Sequence, residues 1–430
     1  MKLKGVFPIR FLLVFSTFLL TVLLYVDRAC ISVAKEDISG DLGFDMTDFG
    51  WVMAVFTLGY ALLQAPSGKL ADRYGPKGVI AGIVTVWSIL TAVTGFAWNY
   101  VSMLVIRFLF GAGEAGAFPS LAKVVYNWFP VQERGIVQGI NFSGSRIGAA
   151  FALPLVAWMI TSIGWRYSFV VFGFIGILAA ILWYLLFKNS PEESRIISDE
   201  EKRFIIESRD SGTTNKHSLL SFKDILSSRN MWLAMLQYTC SNFTFYFTLT
   251  WMFPFIKEKF AMSAIDAGMY SSIPLIAGAV GNWCSGFMVD YFYRVKGVNL
   301  SRRMPAVLGF IFAAFGMVMV TQSSSVVMAV CFLAIAVFGA DMTLSPSWTF
   351  CIDIGKENAG LVSGTMNMAG NLGAFITIIA YPYLFEWTGS NLPFFYIAAG
   401  LSVVAIITWM FMKPENSIQS KFKIVTNKNI

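Results

Sequence analysis

Histidine is all but missing. The chain has one in 430 residues, His217, in a polar loop. A histidine-built metal centre or a Ser-His or Cys-His nucleophile is therefore not expected. Five cysteines occur (Cys30, Cys240, Cys284, Cys331 and Cys351), and no two stand as Cys-x-x-Cys. All five fall in apolar stretches and read as packing residues, neither disulfides nor metal ligands. The patterns H-E-x-x-H, G-x-S-x-G and G-x-x-x-x-G-K-[ST] are absent too, which argues against a zinc peptidase, a serine hydrolase and an ATP-driven pump. No cofactor, metal or catalytic residue is expected, and the chain does not read as an enzyme. Charge is also scarce: 13 % of residues are Asp, Glu, Lys or Arg against 56 % hydrophobic. Soluble globular chains carry about twice that share of charge.

What is present is apolar sequence in blocks. Twelve runs approach or reach the length of a membrane-crossing helix, at about 9–34, 47–68, 78–97, 100–123, 134–160, 166–187, 230–256, 264–290, 303–321, 324–352, 357–382 and 390–412. The first run continues through Asp27-Arg28 with no clear small-residue cleavage site, so it reads as a retained span and not a leader. The expected fold is an all-α integral membrane protein of twelve transmembrane helices in two six-helix bundles. The expected division is 1–188, a cytoplasmic linker at 189–229, and 230–430 with a cytoplasmic tail.

The net charge of +7 reports topology and not nucleic acid. With the N-terminus inside, 25 of the 32 Lys and Arg fall on inner segments, four fall outside (Lys35, Arg166, Lys257, Lys259) and three fall within spans (Arg28, Arg107, Arg146). That asymmetry places both termini in the cytoplasm, next to the lipid bilayer's anionic inner leaflet.

The halves repeat. Ser67-Gly-Lys-Leu-Ala-Asp72 matches Ser285-Gly-Phe-Met-Val-Asp290 at an offset of 218. Phe110-Gly-Ala and Pro119-Ser match Phe338-Gly-Ala and Pro346-Ser at 228 and 227, and Gly139 and Gly144 match Gly364 and Gly370 at 225 and 226. Three matches in order at a nearly constant offset indicate two parallel six-helix repeats, an arrangement secondary transporters use for alternating access. Between the second and third spans, Gly68-Lys-Leu-Ala-Asp-Arg-Tyr-Gly-Pro-Lys77 supplies a Gly75-Pro76 turn, and Asp72 and Arg73 are expected to cap helix ends and form an ion-pair latch.

One stretch breaks the apolar rule: Arg107-Phe-Leu-Phe-Gly-Ala-Gly-Glu-Ala-Gly-Ala-Phe-Pro119. Arg107 and Glu114 are seven apart, so on a helix they share a face about two turns, roughly 10 Å, apart. A charge in hydrocarbon costs at least roughly 2.5–3.5 kcal/mol, which requires a polar cavity or a partner. Gly111, Gly113 and Gly116 spell G-x-G-x-x-G. In an apolar helix these small residues serve close packing and not dinucleotide binding.

Asp27 and Arg107 come out at matching depth and are expected to pair, leaving Arg28 free to face solute and Glu114 as the proton carrier. Arg146, beside Ser145, lies near midplane. Counted by half, three buried arginines face two carboxylates, so an organic anion is the expected guest, held through bidentate arginine. With no membrane histidine, proton coupling falls to the acids; sodium would serve as well but lacks a distinct oxygen cage. In the second half, Asn242, Thr244, Tyr246 and Thr248, then Ser345, Ser347 and Trp348, then Asn367 and Asn371, suit a polyhydroxylated solute or interhelical hydrogen bonding. Tyr60 reaches the cavity or packs, and Asp341 is structural or a second proton site.

Several strings carry a family resemblance: Tyr25-Val-Asp-Arg28, Arg107-x6-Glu114, Trp128-Phe-Pro-x-x-Glu-Arg-Gly135, Gly164-Trp-Arg166 and Pro191-Glu-Glu-Ser-Arg-Ile-Ile-Ser-Asp-Glu-Glu. With the loop at 68–77, the chain resembles the anion:cation symporter family of the major facilitator superfamily. That family includes sialin, the vesicular glutamate transporters and bacterial carriers of galactonate, glucarate and hexuronates. The resemblance implies proton-coupled uptake of a sugar acid; the short loops suggest a cell inner membrane, and one twelve-helix chain can work as a monomer. It implies Asp27 and Glu114 as proton sites, Arg107 as partner of Asp27, and Arg28 and Tyr60 as substrate contacts. Ser345, Ser347, Trp348 and Asn367 are implied to meet sugar-acid hydroxyls. Where some sugar-acid carriers have glutamine, this chain has Ser145 followed by Arg146, and the added cation suggests a more highly charged anion such as a dicarboxylate.

Overall fold

The computed structural model describes residues 8–208 and 220–418; His217 lies outside the described residues. Every regular element among them is helical. The helices are α1 (Ile9–Val33), α2 (Lys35–Leu42), α3 (Met46–Tyr74), α4 (Pro76–Thr94), α5 (Tyr100–Glu114), α6 (Ala117–Trp128) and α7 (Arg134–Leu186). Then follow α8 (Asp199–Ser208), α9 (Phe222–Leu226), α10 (Arg229–Thr250), α11 (Met252–Lys259), α12 (Ala264–Lys296) and α13 (Val298–Thr321). The last are α14 (Val326–Met342), α15 (Leu344–Gly355), α16 (Ala359–Thr388) and α17 (Leu392–Phe411).

All twelve apolar runs fall on helix. Three of them are broken mid-run, into α5 and α6, α10 and α11, and α14 and α15. The converse holds for α7, which carries two runs and turns at Gly164, where φ is +79°. Short polar signals set the other ends. Asp45 and Asp48 form a reciprocal cap on α3, as Asn99 and Ser102 do on α5. Gly75, at φ +85°, ends α3, and Pro76 opens α4, as the Gly-Pro pair predicts.

The chain folds into two compact units. Unit 1 holds Met1–Val131, Ile147–Leu219 and Lys356–Met368; unit 2 holds Gln132–Arg146, Leu220–Gly355 and Ala369–Ile430. Helices α7 and α16 thus contribute residues to both. The core of unit 1 gathers Ile31, Val52, Met103, Val156 and Phe169. That of unit 2 is aromatic, with Phe243, Phe247, Phe255, Phe394 and Phe395 stacked or edge-on. Outside these cores large apolar side chains stay exposed along the helices, including Phe15, Leu62, Phe174, Trp283 and Val403. That surface suits lipid, where burial against protein is not needed.

The repeat found in the sequence reappears in the packing. Asp72 accepts hydrogen bonds from the first amides of α16, Gly360 at 2.9 Å and Leu361 at 2.7 Å. Asp290 accepts from Gly135 and Ile136 at the start of α7, both at 2.8 Å. Donors and acceptors are related by the same offsets, 225 and 218. Each carboxylate fills unsatisfied N–H groups and meets the positive end of a helix dipole.

Candidate functional site

In unit 1 the charged cluster is built from α1, α3 and α5. Helices α3 and α5 approach closely because glycine faces backbone on both sides. A Cβ on Gly111 would lie 2.1 Å from the Phe56 carbonyl oxygen, and one on Gly59 would lie 2.2 Å from that of Phe108. Gly113 faces Val86 of α4, and Gly116 faces Ile83 and Ser67. The G-x-G-x-x-G string is therefore a packing surface, as expected.

That approach sets Phe56 between two cations. Its ring lies 4.8 Å from the Arg107 guanidinium and 5.3 Å from that of Arg28. Arg28 also stands over Tyr60 at 4.5 Å and Tyr25 at 5.0 Å, and Arg107 over Phe110 at 4.8 Å. Ring faces attract desolvated cations by up to about 2 kcal/mol or more each. Tyr60 therefore lies against Arg28. Phe56 and Tyr25 were not singled out from sequence, because an aromatic in an apolar run gives no signal of its own.

The ion pairing differs from expectation. Arg28 is not free: its Nε donates to Glu114 Oε1 at 2.5 Å, with Glu114 almost fully buried. Among the described residues Asp27 and Arg107 form no ion pair. Both Asp27 carboxylate oxygens are buried without a hydrogen bond, as are Glu114 Oε2 and Arg107 Nε. The charged neighbours of Asp27 are Glu114 and Arg107, and the Trp87 indole lies beside it. Depth along a helix does not fix the direction a side chain takes. Arginine's long stem lets Arg28 reach Glu114 on another helix instead of staying at its own level.

At the end of α3, Asp72 caps α16 as described and has Lys123 Nζ at 3.9 Å. Lys123 also donates to the Glu357 carbonyl. Arg73 is exposed and stands over Tyr74 at 5.3 Å. The expected Asp72–Arg73 latch is thus a helix cap with Lys123 as its cation, and Arg73 takes no part in an ion pair among the described residues. Asn367 lies buried on the unit 1 portion of α16.

In unit 2, Arg146 of α7 forms a fork with Asp341 of α14. Nε donates to Oδ2 at 2.8 Å and Nη2 to Oδ1 at 2.7 Å. Both side chains are buried, at 3 % and 0 % exposure, and Phe245 lies 4.3 Å from the guanidinium. Arg146 is therefore not a surplus cation. Counting charges by half missed its partner, 195 residues on; the three arginines equal Asp27, Glu114 and Asp341 in number, and two of them, Arg28 and Arg146, are bridged.

Other polar candidates of unit 2 have partners within it. Ser145 donates to the Phe142 carbonyl at 2.6 Å, Ser345 to that of Gly135 at 2.8 Å, and Ser347 to that of Thr343 at 2.6 Å. Trp348 Nε1 donates to the Tyr238 hydroxyl at 2.9 Å, and its ring packs on Phe142. Asn371 accepts from the Tyr246 hydroxyl at 2.7 Å. Asn242 and Thr248 bond back to their own helix, whereas the buried Thr244 hydroxyl has no partner. Cys30, Cys240 and Cys351 are buried free thiols, and Cys284 and Cys331 are exposed free thiols.

Comparison with known proteins adds the family. Residues 17–378 match the sequence profile of the Major Facilitator Superfamily. The chain is 31 % identical to the probable sulfoacetate transporter SauU of Cupriavidus necator, over 92 % of each. It is 30 % identical to the probable galactarate/D-glucarate transporter GarP of Escherichia coli, over 96 % of each. The structure of the proton:xylose symporter XylE superposes with a TM-score of 0.71 at 17 % identity, covering 95 % of this chain and 98 % of that one.

Proposed function

The chain belongs to the Major Facilitator Superfamily, and from that premise we propose that this multi-pass membrane transporter carries an organic anion together with protons. The anion is a sugar acid of the hexonate, hexuronate or aldarate class. Residues 1–188 and 230–430 act as the two halves of an alternating-access carrier joined by the linker at 189–229. The protein lies in the cell inner membrane with both termini in the cytoplasm and works as a monomer.

The observation that carries the reading is the Arg28–Glu114 pair at 2.5 Å, with Glu114 buried beside Asp27, whose carboxylate has no hydrogen bond. Membrane-buried ionisable groups mark solute and proton paths far more often than they serve as packing. A guest carboxylate competes with Glu114 for Arg28, and the displaced acid takes a proton from solvent. Asp27 is the second acid within reach. Arg107, held by Phe56 and Phe110, keeps a positive charge beside both. Moving a monoanion inward against the membrane potential costs about 2.3 kcal/mol per 100 mV. One proton cancels that cost and two make entry favourable, and a dianion needs one proton more in each case. Tyr60, Ser145, Ser345, Ser347, Trp348, Asn367 and Asn371 would meet the hydroxyls, with Asp72 at the cytoplasmic gate. The similar proteins named for sulfoacetate and for galactarate or glucarate support an anion with two acid groups.

The test is Glu114→Gln in proteoliposomes, with uptake of labelled galactarate, glucuronate, galactonate and sulfoacetate. Uptake driven by a pH gradient should be lost while exchange of labelled for unlabelled solute persists. Surviving pH-driven uptake removes Glu114 from the coupling path. Uptake driven only by sodium supports the alternative of a sodium-coupled carrier.

A further inference from the structure

The Arg146–Asp341 fork has a counterpart in unit 1. Glu114 closes α5 just before the break in the fourth span, and Asp341 stands at the end of α14 just before the break in the tenth. They are 227 apart, the offset that relates Pro119 to Pro346 in the same pair of spans. Each acid holds an arginine from a different helix, Arg28 for Glu114 and Arg146 for Asp341. Tyr60, under Arg28, corresponds by the 218 offset to Gly278, against Asp341. A Cβ on Gly278 would lie 2.2 Å from Asp341 Oδ2, so glycine there makes room for the carboxylate.

The surroundings accommodate both protonation states of Asp341. Asn282 Nδ2 donates to the Gly278 carbonyl at 3.2 Å and to Asp341 Oδ2 at 3.3 Å, which suits an ionised acid. Asn282 Oδ1 is buried and has no hydrogen-bond partner. A half-turn of that amide presents an acceptor to a protonated Asp341. Among the described residues Arg146 is the only charged group set against Asp341; α12 offers Gly278 and Asn282, and α10 offers Phe245 to the guanidinium.

We propose that Asp341 is a further, exchangeable proton site, and that its carboxylate stands in on Arg146 for an acid group of the transported anion. Resting on the anion-transport reading above, the step is a ligand exchange at the guanidinium. The incoming carboxylate or sulfonate accepts the two N–H bonds, and the Asp341 carboxylate leaves them and binds one proton from solvent. Release of the anion reverses both. Every exchange thus carries one proton with one acid group. A fork between two buried partners of opposite charge otherwise adds little over apolar residues of like size.

The test counts protons with a pH indicator as purified protein in lipid nanodiscs binds potassium galactarate. Asp341→Asn should bind galactarate more tightly than wild type, with one proton fewer taken up per anion. A merely structural pair predicts no gain in affinity, and an unchanged proton count overturns the proposal. If Asp341→Asn does not fold, the double variant Arg146→Met with Asp341→Leu leaves no unpaired charge. It should lose at least tenfold in affinity and one proton, and wild-type affinity or proton count in it overturns the proposal. Failure of wild type to bind galactarate, sulfoacetate, glucuronate or galactonate would instead overturn the transport reading on which the exchange rests.

Discussion

Gly111→Ala tests how helix packing sets the charged cluster. The new Cβ would lie 2.1 Å from the Phe56 carbonyl oxygen and 3.0 Å from the Tyr60 amide nitrogen. Carbon and oxygen in contact stay about 3.3 Å apart or more, so α3 and α5 must separate by about 1 Å. The contact is backbone against backbone, so no rotamer change relieves it. Overpacking of this kind costs about 1–3 kcal/mol. The displaced turn is the one that carries Phe56 and Tyr60, which hold Arg28 and Arg107. Gly82→Ala is the matched control: on α4, a Cβ there meets nothing within 4 Å. Alanine in place of a free helical glycine adds up to about 1 kcal/mol. Thermal unfolding in nanodiscs and anion uptake in proteoliposomes should therefore separate the two variants. G111A should melt lower and transport with weakened apparent affinity, while G82A melts at or above wild type with unchanged transport. Equal melting temperatures and equal uptake in the two variants would refute the close-packing argument.

Other substitutions probe separate contacts. Arg28→Lys should abolish anion uptake, because an ammonium has no planar fork to share between Glu114 and a guest carboxylate; wild-type uptake removes Arg28 from the site. Asp72→Ala and Asp290→Ala each remove two charge-assisted hydrogen bonds from a helix start, worth about 1.5–3 kcal/mol apiece. Both should lower the melting temperature by similar amounts, and a loss confined to one would contradict their equivalence. Glu201→Gln should also destabilise the protein. Its carboxylate accepts from the Ile9 amide at 3.1 Å and from the Arg10 guanidinium at 2.9 Å, which fastens α8 to the start of α1. Circular dichroism melts read this directly, and an unchanged melt would mean the contact adds nothing.

The spans were legible because each is a long apolar run, and lipid permits few other backbone solutions. So were the Gly75-Pro76 turn, the packing role of Gly111, and the kinship of Asp72 with Asp290, since each rests on residue type at fixed spacing. Pairing was not legible. Arg28 prefers Glu114 to solvent because its stem reaches across to α5, and no count along one helix shows which neighbour is in reach. Arg146 found Asp341 because residues 134–146 of α7 fold with unit 2. Tallying charge by half of the chain assigned that arginine to the wrong company. Phe56 escaped notice for a related reason: its role arises only where two cations from different helices meet its faces.

The proposed coupling is tested most directly by anion accumulation with simultaneous proton flux in wild-type proteoliposomes. An inward proton gradient should drive at least one sugar acid or sulfocarboxylate above equilibrium, with internal acidification in step and a protonophore abolishing both. Accumulation that ignores the protonophore and follows sodium alone, or transport confined to neutral and cationic solutes, would contradict proton-coupled anion transport.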